Sequence, residues 1–193
     1  MYKILFYSNN LNKLNEIKNF FDSLKFKIYS PIDFNISYEP KEFGKSFAEN
    51  AKIKSSYGFH KLNMPCFADD SGFCVEALNW KPGILSKDFI NSFSKSDQCF
   101  KHIIKKVEIS KKTRAYFKTS ICLTLKDNYH IIFEGKVDGT ISKIARGING
   151  FGYDPIFIPH GYSKTFGEMN HKQKNKLSHR SIAIQKLINF LSN

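Results

Sequence analysis

An α/β chain built on a mixed β-sheet is predicted by two observations. Some short alternating apolar segments run into helical stripes through a polar turn, as in strand–helix units. Others follow one another directly across turn residues, as in hairpins. The combination calls for parallel and antiparallel strands in one sheet; the strand order cannot be read.

Tyr2 to Tyr7 reads as a short buried strand, broken by Ser8-Asn9-Asn10. From Leu11 the apolar residues Leu11, Leu14, Ile17, Phe20 and Phe21 form a helical stripe. Lys25 to Ser30 alternates as a second strand, and Pro31 to Lys45 is a loop carrying Glu39 and Glu42. A helix is expected over Ser46 to Leu62. Pro65 to Asp69 is a short strand ending in two carboxylates, and Phe73 to Leu78 another. Lys81 to Ser96 reads as irregular around the Pro82-Gly83 turn signal. Asp97 to Val107 is helical. In Ala115 to Lys126 the alternation is strict, with Phe117, Thr119, Ile121, Leu123 and Leu125 on one face. Tyr129 to Glu134 and Gly139 to Ala145 are expected as two partner strands bounded by Gly turns, the first joined to its neighbour across Asp127-Asn128. After the Gly-rich stretch 147–152 come a short strand, Ile156 to Ile158, and a last helix from Ser178.

The 193 residues, 41% hydrophobic and 24% charged, fit one globular domain over residues 1–193, with a core large enough to need no staples. No apolar run is long enough to span a membrane, and the first residues lack the zones of a secretory signal, so a cytoplasmic location is expected. The net charge of +13 suggests a polyanion partner. However, 27 of the 30 basic residues are Lys spread along the chain, and only Arg114, Arg146 and Arg180 offer the guanidinium fork of base-edge readers. A specific nucleic-acid partner is therefore not expected. Cys66, Cys74, Cys99 and Cys122 form no CxxC pair and are expected as buried free thiols.

Five segments can carry chemistry. Ser8-Asn9-Asn10-Leu11-Asn12-Lys13 sits between a strand and a helix N-terminus, where free amides and Lys13 favour an anion; an ordinary helix cap explains the same residues. Glu49-Asn50-Ala51-Lys52-Ile53-Lys54 reads from spacing alone as a solvated helix face. Ala68-Asp69-Asp70-Ser71-Gly72 places paired carboxylates at a strand end, suited to Mg²⁺ or to an Asx turn. In Gly150-Phe151-Gly152-Tyr153-Asp154-Pro155, glycines flank an aromatic residue that could stack on a base or form a packed turn. Lys174 with Ser178-His179-Arg180 puts cations in the first turn of a helix capped by Ser178, against the helix dipole.

Together these segments resemble the Ham1/RdgB-type inosine triphosphate pyrophosphatases, which clear non-canonical purine nucleotides. The matching stretches are SNNLNK at 8–13, SFAENAKIK at 46–54, ADDSG at 68–72, PGILS at 82–86, GFGYDPIF at 150–157, TFGEM at 165–169 and KNKLSHR at 174–180. Each is weak alone, but seven in order along the whole chain are specific. The resemblance implies a long mixed sheet with flanking helices, forming two lobes around a central cleft. It also implies hydrolysis of ITP, dITP or XTP to the monophosphate and pyrophosphate, Mg²⁺ as cofactor, and a homodimer. Residue by residue, it implies Asp70 as the catalytic proton acceptor and Asp70, Asp69, Glu49 and Glu42 around the metal, with Glu39 and Glu42 flanking the family's usual acidic position in the 39–42 loop. Ser8, Asn9, Asn10, Leu11, Asn12, Lys13, Asn50, Lys54 and Ser71 would meet the substrate, with Lys13 on phosphate. Phe151, Gly152, Tyr153 and Asp154 would meet the nucleoside, and Lys174, His179 and Arg180 the base and triphosphate. Two departures stand out. Asn9 occupies the usual Gly position of the first loop and is expected to adopt the left-handed conformation in its place. Asp88 occupies a usual Arg position.

Overall fold

The computed structural model describes residues 2–21 and 24–192. Met1 and Asn193, the ends of the expected single domain, lie outside them. Among the described residues the seven strands are β1 (Tyr2–Phe6), β2 (Phe26–Tyr29), β3 (Cys66–Val75), β4 (Lys81–Gly83), β5 (Arg114–Lys126), β6 (Tyr129–Ile141) and β7 (Phe157–Pro159). The helices are α1 (Leu11–Phe21), α2 (Phe47–Leu62), α3 (Ser86–Asn91), α4 (Ser96–Ser110), α5 (His171–Lys174) and α6 (His179–Ser192). All seven strands belong to one sheet in the order β2-β1-β3-β5-β6-β7, with β4 paired to β3. β1 runs parallel to β2 and β3, whereas β3–β4 and β6–β7 are antiparallel, so the sheet is mixed as expected.

Three expectations are corrected. The two short strands on either side of Ser71-Gly72 are one continuous strand, β3, because Gly72 is simply a strand residue here and both faces are buried almost throughout. The two strands after the Asp127-Asn128 turn are likewise one, β6, running through Gly135 and Gly139. A Cβ on Gly139 would lie 2.2 Å from the Ile158 carbonyl oxygen, so this glycine permits the close approach of β7 and does not end the strand. Residues 81–96 are not irregular but form β4 and α3, with the Ser86 hydroxyl accepting from the Phe73 amide at 2.8 Å and donating to the Gly83 carbonyl at 2.6 Å.

The chain divides into two compact units. The first comprises Met1–Asp70, Thr119–Glu134 and Ala183–Asn193; the second comprises Ser71–Lys118 and Gly135–Ile182. The first unit buries Ile4, Phe6, Leu14, Ile17, Phe21, Phe67, Ile121, Leu123, Ala183, Ile184 and Leu187 in one core. A smaller cluster, Leu5, Tyr7, Cys66 and Ala68, packs with Tyr57, Phe59 and Leu62 of α2. Alternate residues of β1 and β3 thus feed the two clusters, and both faces of these strands are covered. The second unit is packed by Phe73, Cys99, Phe100, Ile103, Phe117, Tyr153, Ile156, Phe157 and Phe166. All four cysteines are free and buried. Among the described residues no helix is long and apolar enough to cross a membrane.

Candidate active site

In the first unit the register of β3 decides the chemistry. Leu5 and Phe6 of β1 pair with Cys66 and Phe67, so β3 runs on past the end of β1 at Asp69 and Asp70. Successive side chains of a strand point to opposite faces. The two carboxylates therefore serve different helices. Asp69, with a side chain of zero exposure, is gripped by Lys13 of α1 at 2.9 and 3.1 Å through its two oxygens. Asp70 faces α2, where the Asn50 amide donates to its Oδ2 at 3.1 Å and the Lys54 ammonium lies 3.9 Å from its Oδ1. Asn50 and Lys54 are one helical turn apart on the buried face of α2, so the segment is not a solvated helix face.

The Lys54 ammonium also donates to Glu42 at 2.8 Å. Asn50 accepts the Gly44 amide at 2.8 Å through its other end, which fixes its amide orientation; a Cβ on Gly44 would lie 2.6 Å from that same Asn50 oxygen. Thr119 of β5 donates its hydroxyl to the Asp70 carbonyl at 3.1 Å and anchors the strand at this point. Burial raises the Asp70 carboxyl, Lys54 and Lys13 pull it down, Glu42 pushes it up, and the outcome is a pKa of about 6. Burial opposes the charge on Lys54, but Asp70, Asp69 and Glu42 outweigh it and hold the ammonium above its ordinary pKa.

The first loop is a cap. The Asn10 side chain accepts the Asn12 and Lys13 amides at 3.0 and 3.2 Å, and the Ser8 hydroxyl accepts the Asn10 amide at 3.2 Å. Asn9 donates its side-chain amide to the Ser37 carbonyl at 2.9 Å and its backbone N–H to Glu39 at 3.2 Å. It does not adopt the left-handed conformation expected for it, because these two bonds tie it to the 37–39 loop in an ordinary backbone region. Leu11 is exposed at the start of α1. Glu49 lies in the first turn of α2 and accepts the Lys45 amide at 2.6 Å, while the Ser46 hydroxyl accepts the Glu49 amide at 3.2 Å.

In the second unit a buried pair organises the aromatic loop. Asp154 Oδ2 accepts from the Lys174 ammonium and from the Phe151 amide, each at 2.7 Å. The Lys174 ammonium stands 4.9 Å from the centre of the half-buried Phe151 ring, and the Arg180 guanidinium lies 5.5 Å from it. Arg180 also donates to the Ser71 hydroxyl at 3.3 Å. His179 lies flat on Phe117, with ring centres 4.8 Å apart and planes 9° from parallel. Ser178 caps α6 as expected, accepting the Ser181 amide at 3.1 Å. Tyr153 is buried, with its hydroxyl donated to the Ser86 carbonyl at 2.7 Å; Gly152, with φ +62, has open space where a Cβ would lie. Asp88 is exposed on α3.

Gly150 adopts φ +73, and a Cβ there would lie 2.0 Å from the Asp154 carboxylate oxygen. Gly150→Ala is expected to destabilise the protein by more than about 2 kcal/mol, because positive φ and displacement of Asp154 act together. Differential scanning calorimetry checks it: an unchanged melting temperature would mean that the loop has room to give.

Within each unit the sequence marks residues that the structure brings into contact, Asp70 with Asn50 and Lys54 in the first and Asp154 with Phe151 and Lys174 in the second, but it misses three that hold them. Phe117 and Thr119 sit on the strictly alternating strand and read only as core. Gly44 carried no signal apart from its distance to Asn50.

A mixed-sheet α/β protein with a lysine-flanked carboxylate at a strand end, and a cation-framed aromatic loop, is the class that this fold and these residues define. The sequence profile of the Ham1 family matches residues 4–190, so the chain belongs to that family. It is 35% identical over 192 residues to a protein named dITP/XTP pyrophosphatase from Porphyromonas gingivalis, covering 99% of this chain and 98% of that one. It is 38% identical over 191 residues to one of the same name from Thermoanaerobacter pseudethanolicus, covering 98% and 96%. Among solved structures, a HAM1 protein from Coxiella burnetii superposes with a TM-score of 0.90 at 31% identity, covering 100% of this chain and 99% of that one. The Staphylococcus aureus Ham1 protein gives 0.86 at 35%, covering 98% of each.

Proposed function

We propose that this chain is a nucleoside triphosphate pyrophosphatase that hydrolyses non-canonical purine nucleotides, ITP, dITP and XTP, to the monophosphate and pyrophosphate. The names of its relatives support the reaction. The observation that carries the reading is Asp70, a buried carboxylate with a pKa of about 6, held between Asn50 and Lys54 and next in the chain to the Asp69–Lys13 pair. In the metal-free protein such a group is ionised at neutral pH, and its oxygen can accept the proton of an attacking water.

Water attacks the α-phosphorus, its proton passes to Asp70, and the bond to the bridging oxygen breaks so that pyrophosphate leaves. Lys13 and Lys54 offset the roughly four negative charges of the triphosphate, without which the attacking oxygen would be repelled. Mg²⁺, when bound, supplies further neutralisation of the phosphate oxygens. Glu42 and Asp70, the two carboxylates that share the Lys54 ammonium, offer hard oxygen donors and are the residues that would hold it. Asp69 stays with Lys13, and Glu49 with the first turn of α2.

Phe151, framed by Lys174 and Arg180, offers a face for the purine to stack on. Donors from His179 or Arg180 would meet the 6-oxo group. An adenine 6-amino group in the same place leaves donors facing donors, a mispairing that costs about 1–3 kcal/mol. Tyr153 and Asp154 support the loop from beneath. The cytoplasmic location and the homodimer belong to the same proposal.

Purified protein incubated with Mg²⁺ and dITP, XTP, GTP or ATP in turn, assayed for pyrophosphate, should release it from dITP and XTP at least about tenfold faster than from ATP. Equal rates on all four, or orthophosphate as the product, would overturn the reading.

A further inference from the structure

We infer that Lys54 is a built-in competitor of the divalent cation: in the nucleotide-free protein its ammonium occupies the space between Glu42 and Asp70, and those carboxylates become fully available only when incoming phosphates draw the ammonium away. The inference rests on the function proposed above and specifies how its site is kept closed until substrate arrives.

The geometry is specific. Lys54 Nζ lies 2.8 Å from Glu42 Oε1 and 3.9 Å from Asp70 Oδ1. Asn50, one turn earlier on the same helix, takes the other oxygen of Asp70, which leaves Oδ1 turned to the ammonium. The Lys54 side chain is only 9% exposed, so the charge has little freedom to swing into water. A hard cation bonds carboxylate oxygens at about 2.1 Å. On Glu42 Oε1 and Asp70 Oδ1 it would meet an ammonium already within hydrogen-bonding distance of one of them, and two like charges cannot share that space cheaply.

The charge count agrees. Glu42, Asp69 and Asp70 carry three negative charges against the two positive charges of Lys13 and Lys54, so the substrate-free cluster is nearly balanced. Lys13 is chelated by both oxygens of Asp69. Lys54, with one short and one long contact, is the ammonium with an alternative to move to, and Glu42, on a loop with a side chain 36% exposed, is the partner able to release it. By linkage, whatever favours departure of Lys54 favours the cation to the same degree, so triphosphate and cation assist each other's binding without touching the same protein atom.

The test uses Mn²⁺ as the probe, with free Mn²⁺ read by electron paramagnetic resonance on the full chain without nucleotide. Lys54→Met and Lys54→Gln should each bind Mn²⁺ at least about tenfold more tightly than the wild type, whereas Lys54→Arg, which keeps the charge, should not. Adding Asp70→Asn to Lys54→Met should abolish the gain. Equal or weaker Mn²⁺ binding by the folded Met and Gln variants, or a gain that survives Asp70→Asn, overturns the inference. If wild-type protein releases pyrophosphate from dITP while these affinities stay equal, only this inference fails; if it releases none, the proposed function fails first.

Discussion

Asp70→Asn is expected to lower pyrophosphate release from dITP by roughly a thousandfold or more, the scale on which a positioned general base acts, while leaving the fold intact. Asparagine matches the shape of the carboxyl group and still offers an oxygen to the Asn50 amide, but it cannot accept a proton from water. The same substitution carries a second, independent signature. The folded-state pKa of about 6 lies above the ordinary carboxylate value, so the folded protein binds this proton more tightly than the unfolded chain does. The stability that Asp70 contributes is complete below about pH 4 and is lost as pH rises through about 6. In chelator-treated protein without nucleotide, Asp70→Asn should therefore gain stability relative to wild type across that window and hold a constant advantage above it. Denaturant titrations at several pH values measure the difference. A flat difference would show that Asp70 is not held in the buried environment described, and retained turnover would remove it from the reaction.

Lys174→Met is expected to destabilise the second unit by about 3–5 kcal/mol, a fall in melting temperature on the order of 10 °C, because it leaves the Asp154 carboxylate buried without its ammonium. The pair is 2.7 Å apart, with side chains 5% and 3% exposed. Breaking such a pair costs far more than removing it whole, so Lys174→Met with Asp154→Asn should recover a large part of the loss. Asp154 also accepts the Phe151 amide, so the single variant should raise KM for the nucleotide through a loosened aromatic loop. Calorimetry on the two single variants and the double variant forms a closed cycle. Additive losses would show that the two side chains act separately.

Much of this was legible from the sequence because local chemistry agreed with the fold. The helical stripes, the strict alternation of 115–126 and the Ser178 cap all describe what forms. The strand breaks expected at Ser71-Gly72 and between Glu134 and Gly139 both rest on glycine as a turn signal, and neither forms. Glycine reads as punctuation in sequence, yet inside a sheet it also lets a neighbouring strand approach, as Gly139 does beneath Ile158. Spacing alone makes 49–54 a solvated face although Asn50 and Lys54 are buried, because helical spacing reports which residues share a side, not whether that side meets water or a carboxylate on another element. The strand-end acidic pair is visible in the residues themselves, but only the resemblance separates Asp70 from Asp69 there, since the physical difference between them depends on register.

That division has a consequence for how the chain can change. Asp69 and Asp70 are chemically identical neighbours, and only the pairing of Leu5 with Cys66 and Phe6 with Phe67 tells them apart. A slip of one residue in β3 would present the other carboxylate to Lys54 and Asn50, leaving composition and hydropathy unchanged. Insertions or deletions between Leu62 and Cys66 are therefore tolerated only where they leave that pairing in place. Aligning a distant relative by its two acidic letters alone would assign the roles by chance, whereas aligning it by the apolar residues that pair with β1 would assign them correctly.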